Sequence, residues 1–250
     1  MISKNTYRCL VLPLLVSLLA ACESGSSSDG SSTTGRGGST ARMTIQGDFL
    51  YAIAGSKVQL FDIQSPESPS PWANVQVAWD IETLFPYGDY LLIGAETGMH
   101  IMDNTDPRAP FYLAEFTHAR ARDPVVAARD YAYVTLRSDG DDFFAADQMD
   151  VISLQDISNP TLVKTLAMQS PSGLAVEQDR LFVCDGIAGL KIFDITDPAS
   201  PLFTESVAGT DCNDVIVQNN LMMVINDSSL LQYDVSVSPP VQLSVVSESL

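Results

Sequence analysis

From Thr40 to the last residue, short apolar runs alternate with polar punctuation, and no stretch shows a convincing 3.6-residue period. Leu50-Tyr51-Ala52-Ile53, Tyr131-Ala132-Tyr133-Val134, Leu181-Phe182-Val183 and Met222-Met223-Val224-Ile225 have the length and β-propensity of strands. A polar pair precedes an aromatic or aliphatic run five times, at Gly47-Asp48, Gly88-Asp89, Arg129-Asp130, Gln178-Asp179 and Asn219-Asn220, and favours a tight hairpin turn at each. The second members of these pairs are 41, 41, 49 and 41 residues apart, a fixed spacing that marks a repeat architecture.

A second motif keeps time with the first. Asp62, Asp103, Asp156, Asp194 and Asp234 each end an apolar-x-apolar run and precede a proline by four or five residues. Asp accepts hydrogen bonds from the following backbone and Pro cannot continue a ladder, so the spacing predicts a strand end at each. The fixed place of these carboxylates before a turn makes them structural. Each unit reads as four strands. A precedes the polar pair (Val125-Val126-Ala127), B follows it, C ends in the Asp, and D follows the Pro (Leu162-Val163-Lys164-Thr165-Leu166). Four short antiparallel strands per forty-odd residues is one propeller blade, so 41–250 is expected to form an all-β propeller of about five blades. Each unit supplies its own four strands, so the first and last blades would meet without a shared-strand clasp. A closed ring and an open arc that closes by dimerising are both compatible with this.

The Gly189-Leu190-Lys191-Ile192-Phe193-Asp194-Ile195-Thr196-Asp197-Pro198-Ala199-Ser200-Pro201 stretch resembles the LVIVD repeat of bacterial and archaeal surface-associated proteins, and 151–160 is similar with Gln155 at an apolar position. The resemblance covers nearly all of 41–250. It implies a propeller outside the cytoplasm and brings no catalytic motif.

The first residues follow a different pattern. Lys4 and Arg8 precede an uncharged run from Cys9 to Ala21, which is shorter than the roughly 20 apolar residues that span a bilayer and is read as a secretory signal. Leu19-Ala20-Ala21-Cys22 resembles the lipobox of bacterial lipoproteins. That resemblance implies cleavage after residue 21, lipidation of Cys22, a membrane anchor and an envelope location, at the outer membrane if the cell is Gram-negative, with Glu23 compatible with that export. An ordinary signal peptide with an incidental cysteine is the alternative. Ser, Gly and Thr dominate residues 23–40, which are expected to form a flexible tether with a reach of about 23 Å. The chain thus divides into a signal at 1–21, a lipid-bearing cysteine and tether at 22–40, and a propeller at 41–250.

Composition sharpens this picture. The chain has 31 acidic and 13 basic side chains, a formal charge of -18 that makes nucleic acid an unfavourable partner. Loss of Lys4 and Arg8 with the signal would leave 11 basic side chains and a charge of -20. Lipid, and not electrostatics, would then hold the body at an anionic membrane.

Candidate chemistry is sparse. Asp156 lies 26 residues after Asp130, against 14 or 15 for its counterparts, which places an insert of about twelve residues in blade three on the D–A and B–C loop face. Within it, Asp139, Asp141, Asp142 and Asp147 with Gly140 supply hard oxygen ligands suited to Ca²⁺ on a flexible turn, although without EF-hand spacing. The same segment reads equally as a solvated acidic loop, and Phe143 and Phe144 offer contact with an unknown envelope protein or extracellular ligand. Cys184 and Cys212 fall on this face in adjacent blades, either as a disulfide or as two small buried residues. His100 occupies the strand-C column of Gln59 and Lys191, which reads as exposed, and His118 has no partner at metal-ligand spacing. The motifs therefore point to a binding or scaffolding module, with no cofactor required and Ca²⁺ as an option. A Ca-dependent propeller hydrolase acting on the D–A/B–C face is the alternative.

Overall fold

A computed structural model describes residues 38–117, 124–138 and 147–247. The signal, Cys22, most of the tether, His118, Asp139, Asp141, Asp142, Phe143 and Phe144 lie outside the described residues. Twenty strands form five four-stranded antiparallel sheets, each built from consecutive strands. Blade 1 is β1 (Met43–Gln46), β2 (Phe49–Ala54), β3 (Lys57–Asp62) and β4 (Ser70–Gln76). Blade 2 is β5 (Ile81–Tyr87), β6 (Tyr90–Ala95), β7 (Gly98–Asp103) and β8 (Phe111–Thr117). Blade 3 is β9 (Val125–Ala128), β10 (Tyr131–Leu136), β11 (Gln148–Ser153) and β12 (Thr161–Ala167). Blade 4 is β13 (Pro171–Glu177), β14 (Arg180–Asp185), β15 (Leu190–Asp194) and β16 (Leu202–Val207). Blade 5 is β17 (Asp214–Gln218), β18 (Leu221–Ile225), β19 (Ser229–Asp234) and β20 (Val241–Ser247). The all-β, five-bladed propeller expected from the repeat is the fold observed.

The polar pairs make the A–B hairpins. Their first residues, Gly47, Gly88, Arg129, Gln178 and Asn219, all have φ between 51° and 58°, the left-handed conformation that two-residue hairpin turns require. At the other strand end, backbone N–H groups two residues on donate to the Oδ1 atoms of Asp62, Asp103, Asp194 and Asp234 at 2.7–2.9 Å. These carboxylates are turn caps, as their spacing predicted.

Blade 3 corrects the sequence register. There β11 ends at Ser153, 23 residues after Asp130, and Asp156 lies three residues beyond it. The Leu154 N–H donates to Asp130 O just as Ile195 N–H donates to Asp179 O, both at 2.8 Å, which pairs Ser153 with Asp194 and Asp156 with Asp197. Asp156 still caps a turn, through Ser158 N–H at 3.1 Å, but it is the next turn along. The insert therefore adds eight or nine residues, not twelve.

Alternation along strand B divides each inner blade between two apolar interfaces. Leu91 and Ile93 face blade 1 whereas Leu92 faces blade 3, and Leu181 and Val183 face blade 3 whereas Phe182 and Cys184 face blade 5. Among the described residues, four such clusters join blades 1–2, 2–3, 3–4 and 4–5, and none joins 5 to 1. Burial reports the same asymmetry. After its first residue, strand B is buried on both faces in β6, β10 and β14, but on one face only in β2 and β18. Met43 and Ile225, in the first and last blades, are 63% and 51% exposed.

Candidate functional site

The inner strands β1, β5, β9, β13 and β17 surround a cavity of about 480 Å³, whose apolar lining includes Phe85, Val126, Leu174, Val176, Val215 and Val217. Its upper end is obstructed by the chain itself. Ser39 is 1% exposed, and its hydroxyl accepts from Leu174 N–H of blade 4 at 2.7 Å. Thr40 donates to Asp214 of blade 5 at 2.5 Å, and Ala41 O accepts from Leu84 N–H of blade 2 at 2.8 Å. Residues 38–41 thus cross from blade 1 to blades 2, 4 and 5. Among the described residues, no strand is shared between the first and last blades, as expected. This polar crossing was invisible in the sequence, because Gly38, Ser39 and Thr40 share the composition of the tether.

Close approach is built into the crossing. A Cβ on Gly173 would stand 2.6 Å from Asp214 Cα and 2.9 Å from Asn213 O, and one on Gly38 would stand 2.5 Å from an Asp214 carboxylate oxygen. Asp214 also accepts its neighbour's Val215 N–H at 2.9 Å. Burial raises the Asp214 carboxyl above the usual carboxylate range, against the hydrogen bonds from Thr40, Val215 and Ser39.

Above the crossing lies a second cavity of about 520 Å³, the upper mouth. Every blade contributes to it: Thr40 and Arg42 from blade 1, Glu82 and Thr83 from blade 2, Pro124 and Arg137 from blade 3, Pro171, Ser172 and Gly173 from blade 4, and Asn213 from blade 5. This is the D–A and B–C loop face. Arg137 immediately precedes the blade-three insert, so the insert springs from the rim of the mouth. Neither arginine was singled out by sequence reasoning, because the residues that surround them come from loops far apart in the chain.

The sequence-predicted residues divide as follows. Cys184 and Cys212 form a disulfide with a Cα–Cα distance of 5.4 Å, inside the apolar cluster that joins blades 4 and 5. Of the four candidate metal ligands only Asp147 is described, and its Oδ1 accepts Ser138 N–H at 2.9 Å across the base of the insert. Among the described residues, no group of three or more His, Cys, Asp or Glu side chains converges in a way that could hold a metal ion. His100 is 6% exposed, not on an open face, because Tyr112 and Glu115 of the outer strand β8 cover it, each 3.4 Å from its Nδ1. Burial lowers its pKa and the Glu115 carboxylate works against that shift. Lys191, in the same column, pairs at 2.5 Å with the fully buried Asp185, which also accepts Gln169 and Ser170 N–H groups at 2.7 and 3.0 Å.

The lower face carries polar links between neighbours. Tyr87 of blade 2 donates to Arg129 O, Arg129 reaches Asp179, Ile195 O and Thr196 O of blade 4, and Arg180 reaches Val235 O and Asn220 of blade 5. These arginines serve the architecture.

Five radial four-stranded sheets with a central cavity define a β-propeller. The LVIVD repeat model matches residues 171–209, which is the whole of blade 4, so the chain is a five-bladed propeller that carries an LVIVD repeat. No curated protein matches the chain. Among solved structures it is similar to the periplasmic gluconolactonase PpgL of Pseudomonas aeruginosa, with 14% identity, a TM-score of 0.63, and 80% of this chain and 68% of that one covered. It is similar to AztD of Citrobacter koseri, with 13% identity, a TM-score of 0.59, and 80% and 59% covered. A functionally unknown protein of Desulfotomaculum acetoxidans gives 9% identity, a TM-score of 0.65, and 87% and 70% covered. This chain therefore spans 59–70% of the length of these structures, and at such identity the likeness is one of fold. Among the described residues, no helix is long and apolar enough to cross a membrane.

Proposed function

We propose that this chain is a lipid-anchored propeller of the cell envelope, acting as a binding or scaffolding module whose ligand meets the upper mouth. The observation that carries the reading is the mouth itself: loops from all five blades converge on one cavity, whose floor is the crossing at 38–41. Its hydroxyls are engaged in holding the fold. Thr40 donates to Asp214, and Ser172 donates to Cys212 O at 3.2 Å. Ser172 thus faces a backbone carbonyl and no base, and the Asp214 carboxylate that accepts from Thr40 also holds Val215 N–H at 2.9 Å. The anchor rests on the lipobox resemblance at Leu19-Ala20-Ala21-Cys22, and an envelope address agrees with the disulfide between Cys184 and Cys212.

Fractionation tests the anchor: the full chain should sediment with membranes, and Cys22→Ala should abolish lipid labelling. Labelling that survives the substitution would refute it. Pulldown from envelope extracts, run beside turnover assays, tests the module. A specific turnover with no partner retained would overturn it. Hydrolysis of a sugar lactone at the same mouth is a second reading, favoured by the likeness to PpgL. Calcium titration of the whole protein probes its metal-dependent form. Heat and a thermal shift would support that form, and their absence would remove it.

A further inference from the structure

Building on the upper face as the binding face, we infer that the mouth binds a small ligand through one carboxylate or phosphate group, with Arg42 and Arg137 as its counter-charges. Its local charge opposes that of the whole chain. The protein has 31 acidic against 13 basic side chains, yet among the described residues two guanidiniums and one carboxylate, that of Glu82, line this cavity.

These guanidiniums are uncommitted. Among the described residues, Arg129 is held by Asp179 and two carbonyls of blade 4, and Arg180 by Glu177 of its own blade and by Val235 O and Asn220 of blade 5. Lys191, which lines another cavity, is spent on Asp185. Among the described residues, the side chains of Arg42 and Arg137 make no hydrogen bond or ion pair, and Glu82 lies within 4 Å of neither. A planar guanidinium offers a fork of N–H donors that fits carboxylate and phosphate oxygens. Two of them, from blades 1 and 3 and far apart in sequence, line one cavity because blade 2 brings their loops to the same face.

The remaining lining sets the ligand's character. Among the described lining residues, the two arginines and Glu82 together carry a single positive charge, which one anionic group of a ligand would match. Glu82 accepts hydrogen bonds, which suits hydroxyls on the rest of the ligand. A cavity of about 520 Å³ is within the range of small-molecule sites. The acidic body outside disfavours polyanions at low ionic strength.

The test is titration of the intact protein with lactate and, separately, with inorganic phosphate, followed by calorimetry and by amide shifts. Saturable binding with shifts at Thr83, Ser172, Gly173 and Asn213 is expected. Arg42→Gln and Arg137→Gln should each weaken it at least tenfold without moving the thermal midpoint. Glu82→Gln should tighten it several-fold, and Arg108→Gln, in a lower-face loop, should leave it unchanged. Saturation by one anion and not the other assigns the group recognised. No saturable binding of either anion, or equal affinity in the two arginine variants and wild type, overturns the inference. A partner cross-linked at the mouth alongside a blank anion titration would leave the binding face standing and remove only its ligand class.

Discussion

Gly173→Ala is the sharpest probe of how the last blade is held. The added methyl would strike the Asp214 carboxylate first, and would also meet Asp214 Cα at 2.6 Å and Asn213 O at 2.9 Å, backbone atoms that cannot swing aside when the side chain does. The inner strands β13 and β17 would have to separate at their upper ends, weakening the 3.0 Å bond from Gly173 N–H to Asn213 O. Overpacking costs about 1–3 kcal/mol and a lost hydrogen bond about 1 kcal/mol, so the expected destabilisation is about 2–4 kcal/mol. Gly38→Ala differs in kind, because the atoms it would meet all belong to the Asp214 carboxylate, the nearest at 2.5 Å. That group can move at the expense of its bonds to Thr40, Ser39 and Val215, a cost of about 1–2 kcal/mol. Asp214→Ala separates the two. It should absorb most of the Gly38→Ala penalty, giving a coupling of about 1 kcal/mol, but relieve only the side-chain part of the Gly173→Ala penalty and leave the part set by Asp214 Cα and Asn213 O in place. Urea unfolding of the full chain by far-ultraviolet circular dichroism reads all five variants. A Gly173→Ala protein as stable as Gly38→Ala, or one rescued by Asp214→Ala, would refute the reasoning.

Further expectations address other parts of the ring. Replacing Cys184 and Cys212 by Ser should cost about 3–4 kcal/mol in the chain-entropy model, seen as a lower urea midpoint. Gln178 has φ 54° and no hydrogen bond of its own side chain among the described residues, so Gln178→Gly should stabilise by up to about 1 kcal/mol. Arg129→Gly, at the equivalent turn, should destabilise, because it gives up the contacts to Asp179, Ile195 and Thr196. His100 has its pKa lowered from 6.5 by burial, so the unfolded chain takes up the proton first, and its contribution is lost as pH falls below about 6.5 toward the folded value. His100→Phe should flatten that stretch of the stability profile. Leu92→Ala, in an inner blade, should cost about 2–5 kcal/mol, whereas Met223→Ala, on the half-covered face of β18, should cost less than half as much.

The blades were legible because their punctuation is chemical. Left-handed turns recur between strands A and B in every blade and Asp caps at the end of strand C in four of the five, so the 41-residue period carries the fold directly. Blade 3 misled because Ser153 stands where its counterparts have Asp, while Asp156 and Pro160 imitate the motif three residues later. His100 misled because a polar residue in a strand reads as outward, and only the tertiary arrangement shows Tyr112 lying over it. Two features could not be read at all. Ser39 and Thr40 look like tether until their partners Leu174 and Asp214 are known. Arg42 and Arg137 acquire meaning only when blades 1 and 3 bring them to one cavity. The repeat pattern also hides the difference between edge and inner blades, because period-2 alternation is the same whether one face or both are covered.

The central claim is that this propeller meets its ligand at the upper mouth. Site-specific photo-crosslinking in living cells tests it most directly, with the photoreactive residue placed at Glu82, which leaves both arginines in place, in one strain and at Asp179, in the lower A–B turn of blade 4, in another. A discrete adduct from position 82, absent from position 179, is the result predicted. Adducts from position 179 with none from position 82 would contradict the account.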